Sequence, residues 1–145
     1  MTRAVFLAAG QGTRLRPLTN DKPKCLVELA GKSLLSRQIE VLDAAGITDI
    51  QIATSYREDQ IRSLGYSTAH NPDYEHTNMV ESLFSARPFL ERCGDLTIAY
   101  GDIVYRPENL AALLACEDEI ALMIDLQRPS LWSLRLDNPL DDAGT

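Results

Sequence analysis

A chain of 145 residues with 45% apolar content has the length and composition of one ordinary soluble domain with a real core. Its net charge of −7 argues against a nucleic-acid partner. No apolar run is long enough for a membrane span or a signal peptide, so a cytoplasmic location is expected. Cys25, Cys93 and Cys116 are odd in number and form no CxxC pair, and His70 and His76 are too few for a cluster, which speaks against zinc and disulfides.

In chain order, Arg3 to Ala8 is a short apolar run of the kind that makes a strand buried on both faces. It breaks into Leu7-Ala8-Ala9-Gly10-Gln11-Gly12-Thr13-Arg14-Leu15-Arg16-Pro17, with Pro23-Lys24 following. A backbone without Cβ bulk curls tightly and turns its N–H groups toward a ligand, and the cations that follow suit a polyphosphate. Two familiar glycine motifs fail here. Leu15 stands where a P-loop needs its second glycine, and also where the dinucleotide fingerprint needs its third. Residues 1–40 hold seven Lys/Arg against three acids, a local +4 that leaves −11 for the remainder. A basic patch on an acidic protein suits a small anionic ligand.

Ala8 to Thr19 with Lys22-Pro23-Lys24 resembles the signature loop of the nucleotidyltransferases that activate phosphorylated small molecules, among them sugar-1-phosphate nucleotidyltransferases and phosphocholine cytidylyltransferases. The resemblance implies that Leu7, Ala8, Ala9, Gly10, Gln11, Gly12 and Thr13 wrap a nucleoside triphosphate. It implies that Arg14 contacts the phosphates and that Lys24 reaches the α-phosphate, the two catalytic candidates.

Beyond Lys24, Ser33 is placed to cap a helix through Leu34, Leu35, Ile39 and Leu42 that Gly46 closes. Asp49 to Thr54 alternates as a strand, Arg57 to Leu64 reads as a short helix, and Tyr66 to His70 as another strand. After the polar loop Asn71 to Asn78, a helix capped by Thr77 or Asn78 is expected to face the core with Val80, Leu83, Phe84, Phe89 and Leu90, ending or kinking at Pro88. Asp95 to Asp102 is a strand ending on Gly-Asp, Pro107 starts a helix, and Glu119 to Leu126 reads as a further buried strand. Alternating strands and helices predict a three-layer, Rossmann-like α/β domain over residues 1–145, with a mostly parallel sheet and helices on both faces.

Asp102 falls at a strand's carboxyl end, where open parallel sheets bind ligands. An acid there can hold Mg²⁺ against phosphates, or can cap the turn before Pro107. The resemblance places the family's metal aspartate at this position. It also implies that the Asn71–Asn78 loop, through Asn71, Thr77 and Asn78, reads the base, which suits side-chain amides. Asn is equally a turn and cap residue, and both readings stand. Asn71, Asn78 and Glu81-Ser82-Leu83 resemble the phosphocholine branch, so CTP is the favoured nucleotide. The stretch Leu131 to Ala143 resembles relatives of that branch. Trp132 offers a π face to a quaternary ammonium acceptor, or simply packs.

The reaction these parts imply is Mg²⁺-dependent transfer of CMP from CTP to phosphocholine, an aminoalkylphosphonate or a similar small acceptor. The alternatives are a sugar-1-phosphate acceptor and a non-catalytic nucleotide-binding regulatory domain. A dinucleotide oxidoreductase is disfavoured by Leu15 and by the missing acid after Thr54. Family members continue with a second metal acid and acceptor wall. The 145 residues are therefore expected to be the amino-terminal portion, by themselves a weak nucleotide binder, nearly inactive and prone to dimerise or aggregate.

Overall fold

The computed structural model describes residues 1–134. The chain sorts into two compact units, Met1–Leu110 and the residues from Ala111 onward.

The first unit is built on a four-stranded parallel sheet. Its strands are β1 (Arg3–Leu7), β4 (Ile50–Thr54), β5 (Ser67–His70) and β6 (Leu96–Tyr100), in the order β5-β4-β1-β6. β1 lies between β4 and β6, with Leu7 paired to Ala53 on one side and to Tyr100 on the other. A two-residue ribbon of β2 (Glu28–Leu29) and β3 (Lys32–Ser33) precedes helix α1 (Leu34–Ala44). Ser33 caps α1 by accepting from the Ser36 N–H at 3.1 Å. Gly46, at φ 79°, turns the chain away from the helix end.

Alternation along β1 sends Ala4 and Phe6 to one face of the sheet and Val5 to the other, and all three are fully buried. Leu35, Ile39 and Leu42 of α1, Ile61 of α2 (Glu58–Ser63) and Leu110 cover the first face. Ala86, Phe89, Leu83 and Leu90, from α3 (Met79–Phe84), α4 (Arg87–Leu90) and their junction, cover Val5 and Ala69 on the second. Burying each large side chain contributes about 1.5–3 kcal/mol, so both layers matter to the sheet. The parallel sheet with a helical layer on each face is as expected.

Two details of this unit differ from the expectation. Arg3, counted in the basic patch, is only 4% exposed. Its guanidinium donates to the carbonyls of Phe89, Leu90, Arg92, Cys93, Gly94 and Asp95, closing the carboxyl end of α4. Val80 and Phe84 are about half exposed, at 49% and 48%, rather than core-facing. The reason is that Ser82, two residues from each, is drawn inward by a hydrogen bond from Asn71, which rotates α3 so that they face out.

In the second unit α5, which begins at Pro107, ends at Leu114, and α6 spans Arg128–Ser133. Glu119 to Leu126 forms no strand, and Ile120, Leu122 and Leu126 are more than 80% exposed. The described residues of this unit include no strand for the run to pair with, and a run without a ladder partner leaves its backbone groups to water.

Candidate nucleotide site

The site forms where β1 and β6 end side by side. The strand order places the topological switch between them, with β4 and β5 growing one way from β1 and β6 the other. The Gly101 N–H donates to the Leu7 carbonyl at 2.9 Å, so the two chain exits leave together. Two glycines make the close approach possible. A Cβ at Gly101 would lie 3.0 Å from the Ala8 Cβ and 3.2 Å from the Cys25 Cβ. Gly12 adopts φ 67°, and a Cβ there would lie 3.0 Å from the Lys24 Cβ. The glycine loop therefore rests directly on the stem of Lys24.

Two buried hydroxyls, missed in the sequence, hold that loop. Thr19, 1% exposed, donates to the Gly12 carbonyl at 2.8 Å, and Ser55 donates to the Ala9 carbonyl at 2.5 Å. Gln38, also buried, donates to the Tyr100 carbonyl at 3.0 Å, fixing the strand end just before Asp102. Thr19 closes the signature stretch but has no role assigned to it there, and Gln38 and Ser55 carry no local signal beyond a polar residue within an otherwise structural stretch.

Together these exits enclose a cavity of about 360 Å³. Leu7, Ala8, Ala9, Gly10, Gly12, Thr13 and Arg14 line one wall, and Lys24, Cys25, Gly101 and Asp102 the floor. Tyr74, Thr77, Asn78, Met79 and Ser82 line the facing wall, with Tyr100 beside them. Most residues singled out in the sequence thus share one cavity. Gln11 and Asn71 do not line it, and Asn71 is buried behind the facing wall. Trp132 stands half-buried on α6 of the second unit, and the rest of its stretch, from residue 135 on, lies outside the described residues. Tyr74, Met79, Ser82 and Tyr100 were not singled out as site residues. Tyr100, two residues before Asp102, was legible only through its closeness to it.

Lys24 follows the buried Pro23 on a single 3-10 turn, and its ammonium donates to the Asp102 carboxylate. Both side chains are about one-third exposed, at 34% and 29%, so a ligand can reach them. Of the other early cations, Lys32 is paired with Glu40, and Arg37 donates to the Leu29 and Ala30 carbonyls. Within the cavity the basic patch reduces to Arg14 and Lys24. Burial pushes the Cys25 thiol up to about 12; its backbone hydrogen bond opposes the rise and the Asp102 charge adds to it. The thiol is protonated at neutral pH and is no nucleophile.

Asp102 is the one carboxylate among the described residues lining the cavity, and no group of three metal-ligating side chains occurs among them. That donor set fits Mg²⁺, which takes one or two carboxylates and completes its shell with phosphate oxygens and water.

Residues 4–136 match the family model of the MobA-like NTP transferase domain. The CTP:phosphoglutamine cytidylyltransferase of Campylobacter jejuni is 40% identical, over 98% of this chain and 60% of its own. The mannose-1-phosphate guanyltransferase of Emericella nidulans is 42% identical over 59% of this chain and 24% of its own. The solved CTP:phosphocholine cytidylyltransferase of Streptococcus pneumoniae superimposes with a TM-score of 0.65 at 34% identity, covering 74% of this chain and 50% of that one. The chain thus spans 60% or less of the length of these relatives. With a glycine loop and a Gly-Asp strand end meeting at the switch point of a parallel sheet, and with that match across nearly its whole length, the chain belongs to the MobA-like NTP transferase family.

Proposed function

We propose that this chain binds CTP at the carboxyl edge of β1 and β6 and serves Mg²⁺-dependent transfer of CMP to a small phosphorylated acceptor. The observation that carries the reading is Lys24 and Asp102 side by side beneath the glycine loop. The acceptor's phosphate oxygen attacks the α-phosphorus, the bond to the bridging oxygen breaks, and pyrophosphate leaves. A phosphate monoester, with its second pKa at about 6, is largely ionised at neutral pH and needs no general base. A protonated Cys25 on the cavity floor fits that chemistry.

What remains is alignment and charge neutralisation. In this reading the loop N–H groups and Arg14 hold the outer phosphates, and Lys24 meets the charge that builds at the α-phosphate. A divalent cation on Asp102 supplies further neutralisation of the phosphates. Asn78 uses its Oδ1 to cap α3, accepting from the Val80 and Glu81 N–H groups, so its NH₂ is the part that can meet a base acceptor. Thr77 joins it. The half-exposed Ile98 on the edge strand β6 supports the homodimer reading, which sedimentation would test.

CTP is favoured because the two relatives above that are 40% and 34% identical over 98% and 74% of this chain are cytidylyltransferases, and their acceptors make phosphoglutamine and phosphocholine the first candidates. The guanyltransferase similarity favours a second reading, GTP with a sugar 1-phosphate. Pyrophosphate release from CTP, UTP, GTP and dTTP, crossed with choline phosphate, phosphoglutamine, 2-aminoethylphosphonate and mannose 1-phosphate, separates them. CTP turnover with a non-sugar acceptor is expected, at a low rate from these 145 residues alone. GTP turnover with mannose 1-phosphate would transfer the chain to the sugar branch, and CTP binding without turnover would leave a binding domain.

A further inference from the structure

We propose that Asn71 is a positioning residue for base selectivity, which acts without touching the nucleotide by fixing Thr77 and Ser82 in the cavity wall. The proposal rests on the cavity being the CTP site. Asn71 follows β5 directly, is 5% exposed, and its N–H donates to the Thr54 carbonyl at 2.8 Å, anchoring it to the sheet. Its amide then gathers the facing wall. Nδ2 donates to Thr77 Oγ1 at 3.0 Å and to Ser82 Oγ at 2.9 Å, while Oδ1 accepts from the Asp73 N–H at 3.0 Å. One side chain thereby ties the start of the loop, its end and the first turns of α3. Thr77 and Ser82 both line the cavity; Asn71 does not.

The chemistry demands an amide. A hydroxyl has one proton to give. Thr77 gives its proton to the Asp73 carbonyl at 3.0 Å, and Ser82 points its own at the Asn78 carbonyl at 3.4 Å. Both oxygens therefore need an outside donor, and Asn71 supplies two N–H bonds from one nitrogen. Aspartate has the same shape and no donor, so Thr77 and Ser82 would have to turn their own protons to it and give up the Asp73 and Asn78 carbonyls that now hold them. The opposite wall does not depend on this clamp, because the glycine loop is held by Thr19 and Ser55. Phosphate binding and base reading are therefore separable at Asn71.

Calorimetric titration of the wild type, Asn71→Asp and Ser82→Ala with CTP, UTP and pyrophosphate, all with Mg²⁺, tests this. In Asn71→Asp, CTP affinity is expected to fall about tenfold, the scale of two lost hydrogen bonds, and the CTP-over-UTP preference to shrink toward unity. Pyrophosphate affinity stays at the wild-type value. Ser82→Ala removes one of the two contacts and shows the same pattern with smaller amplitude, which keeps the test open if Asn71→Asp does not fold. Unchanged CTP affinity in the folded variants, or a parallel loss of CTP and pyrophosphate, overturns the positioning role. Wild-type protein that binds pyrophosphate but shows no base preference overturns it too. Wild-type protein that binds neither CTP nor pyrophosphate overturns the nucleotide reading itself.

Discussion

Lys24 and Asp102 are hydrogen-bonded to one another, so the one carboxylate among the described residues lining the cavity is neutralised by one of its two cations. In the proposed site a cation on Asp102 would release Lys24 for phosphate, and phosphate on Lys24 would release Asp102 for the cation, so the two bindings would help one another.

Asp102→Asn separates these effects. With the carboxylate gone, Lys24 is released, and CTP in EDTA should bind about two- to fivefold more tightly than to wild type, the scale of a partly exposed ion pair. Added Mg²⁺ should then strengthen binding far less than it does in wild type. Lys24→Ala, by contrast, should weaken CTP by about 1.5–3 kcal/mol with or without the metal. Weaker binding of metal-free CTP to the asparagine variant would show that the pair does not compete with phosphate.

The two loop glycines should respond differently to an added methyl. Gly12→Ala places a side chain at φ 67° and 3.0 Å from the Lys24 Cβ, so stability should fall by about 1–2 kcal/mol and Lys24 should be displaced. Gly10→Ala meets nothing within 4 Å and should leave stability within about 0.5 kcal/mol of wild type. If the triphosphate lies against the Gly10 backbone, this variant nevertheless loses CTP affinity. Melting temperature and titration, read side by side, distinguish the two cases.

Cysteine reactivity should follow burial. Cys93 and Cys116 are exposed, whereas Cys25 is 2% exposed with its thiol pushed up to about 12. Iodoacetamide at pH 8 should modify Cys93 and Cys116 in the folded protein and spare Cys25 until denaturant is added. Peptide mass spectrometry reads this directly, and rapid labelling of Cys25 would mean that the cavity floor opens in solution.

Glu58 supplies a pH dependence of stability. Burial raises its pKa, but hydrogen bonds from Thr68 at 2.6 Å and Arg62 at 2.7 Å, with the charges of Arg62 and His70, outweigh that and hold it below the ordinary 4.5. A depressed carboxylate pKa stabilises the fold above the unfolded value, and that stability is lost as pH falls through the folded value. Urea midpoints should therefore drop as pH falls below about 4.5, the ordinary carboxylate value. In Glu58→Gln that drop should be shallower and the midpoint at pH 7 lower. Parallel profiles for the two proteins would remove Glu58 from the acid response.

The sequence by itself determined whatever depends on neighbouring residues. The run Arg3 to Ala8 makes a buried strand, Gly10 and Gly12 break it, and the 3.6-residue spacing of Leu35, Ile39 and Leu42 makes a helix with one buried side. Alternation of such elements dictates a parallel sheet, and a parallel sheet brings Asp102 and the glycine loop to the same edge. Only the tertiary structure decided how the polar side chains are used. Arg3 and its carbonyl partners are nearly ninety residues apart, Lys24 and Asp102 seventy-eight, and Asn71 turns α3 through Ser82. Backbone conformation is set by local sterics and periodicity. A charge or an amide, however, pairs with whichever group the folded chain brings within about 3 Å, and no local pattern records that distance.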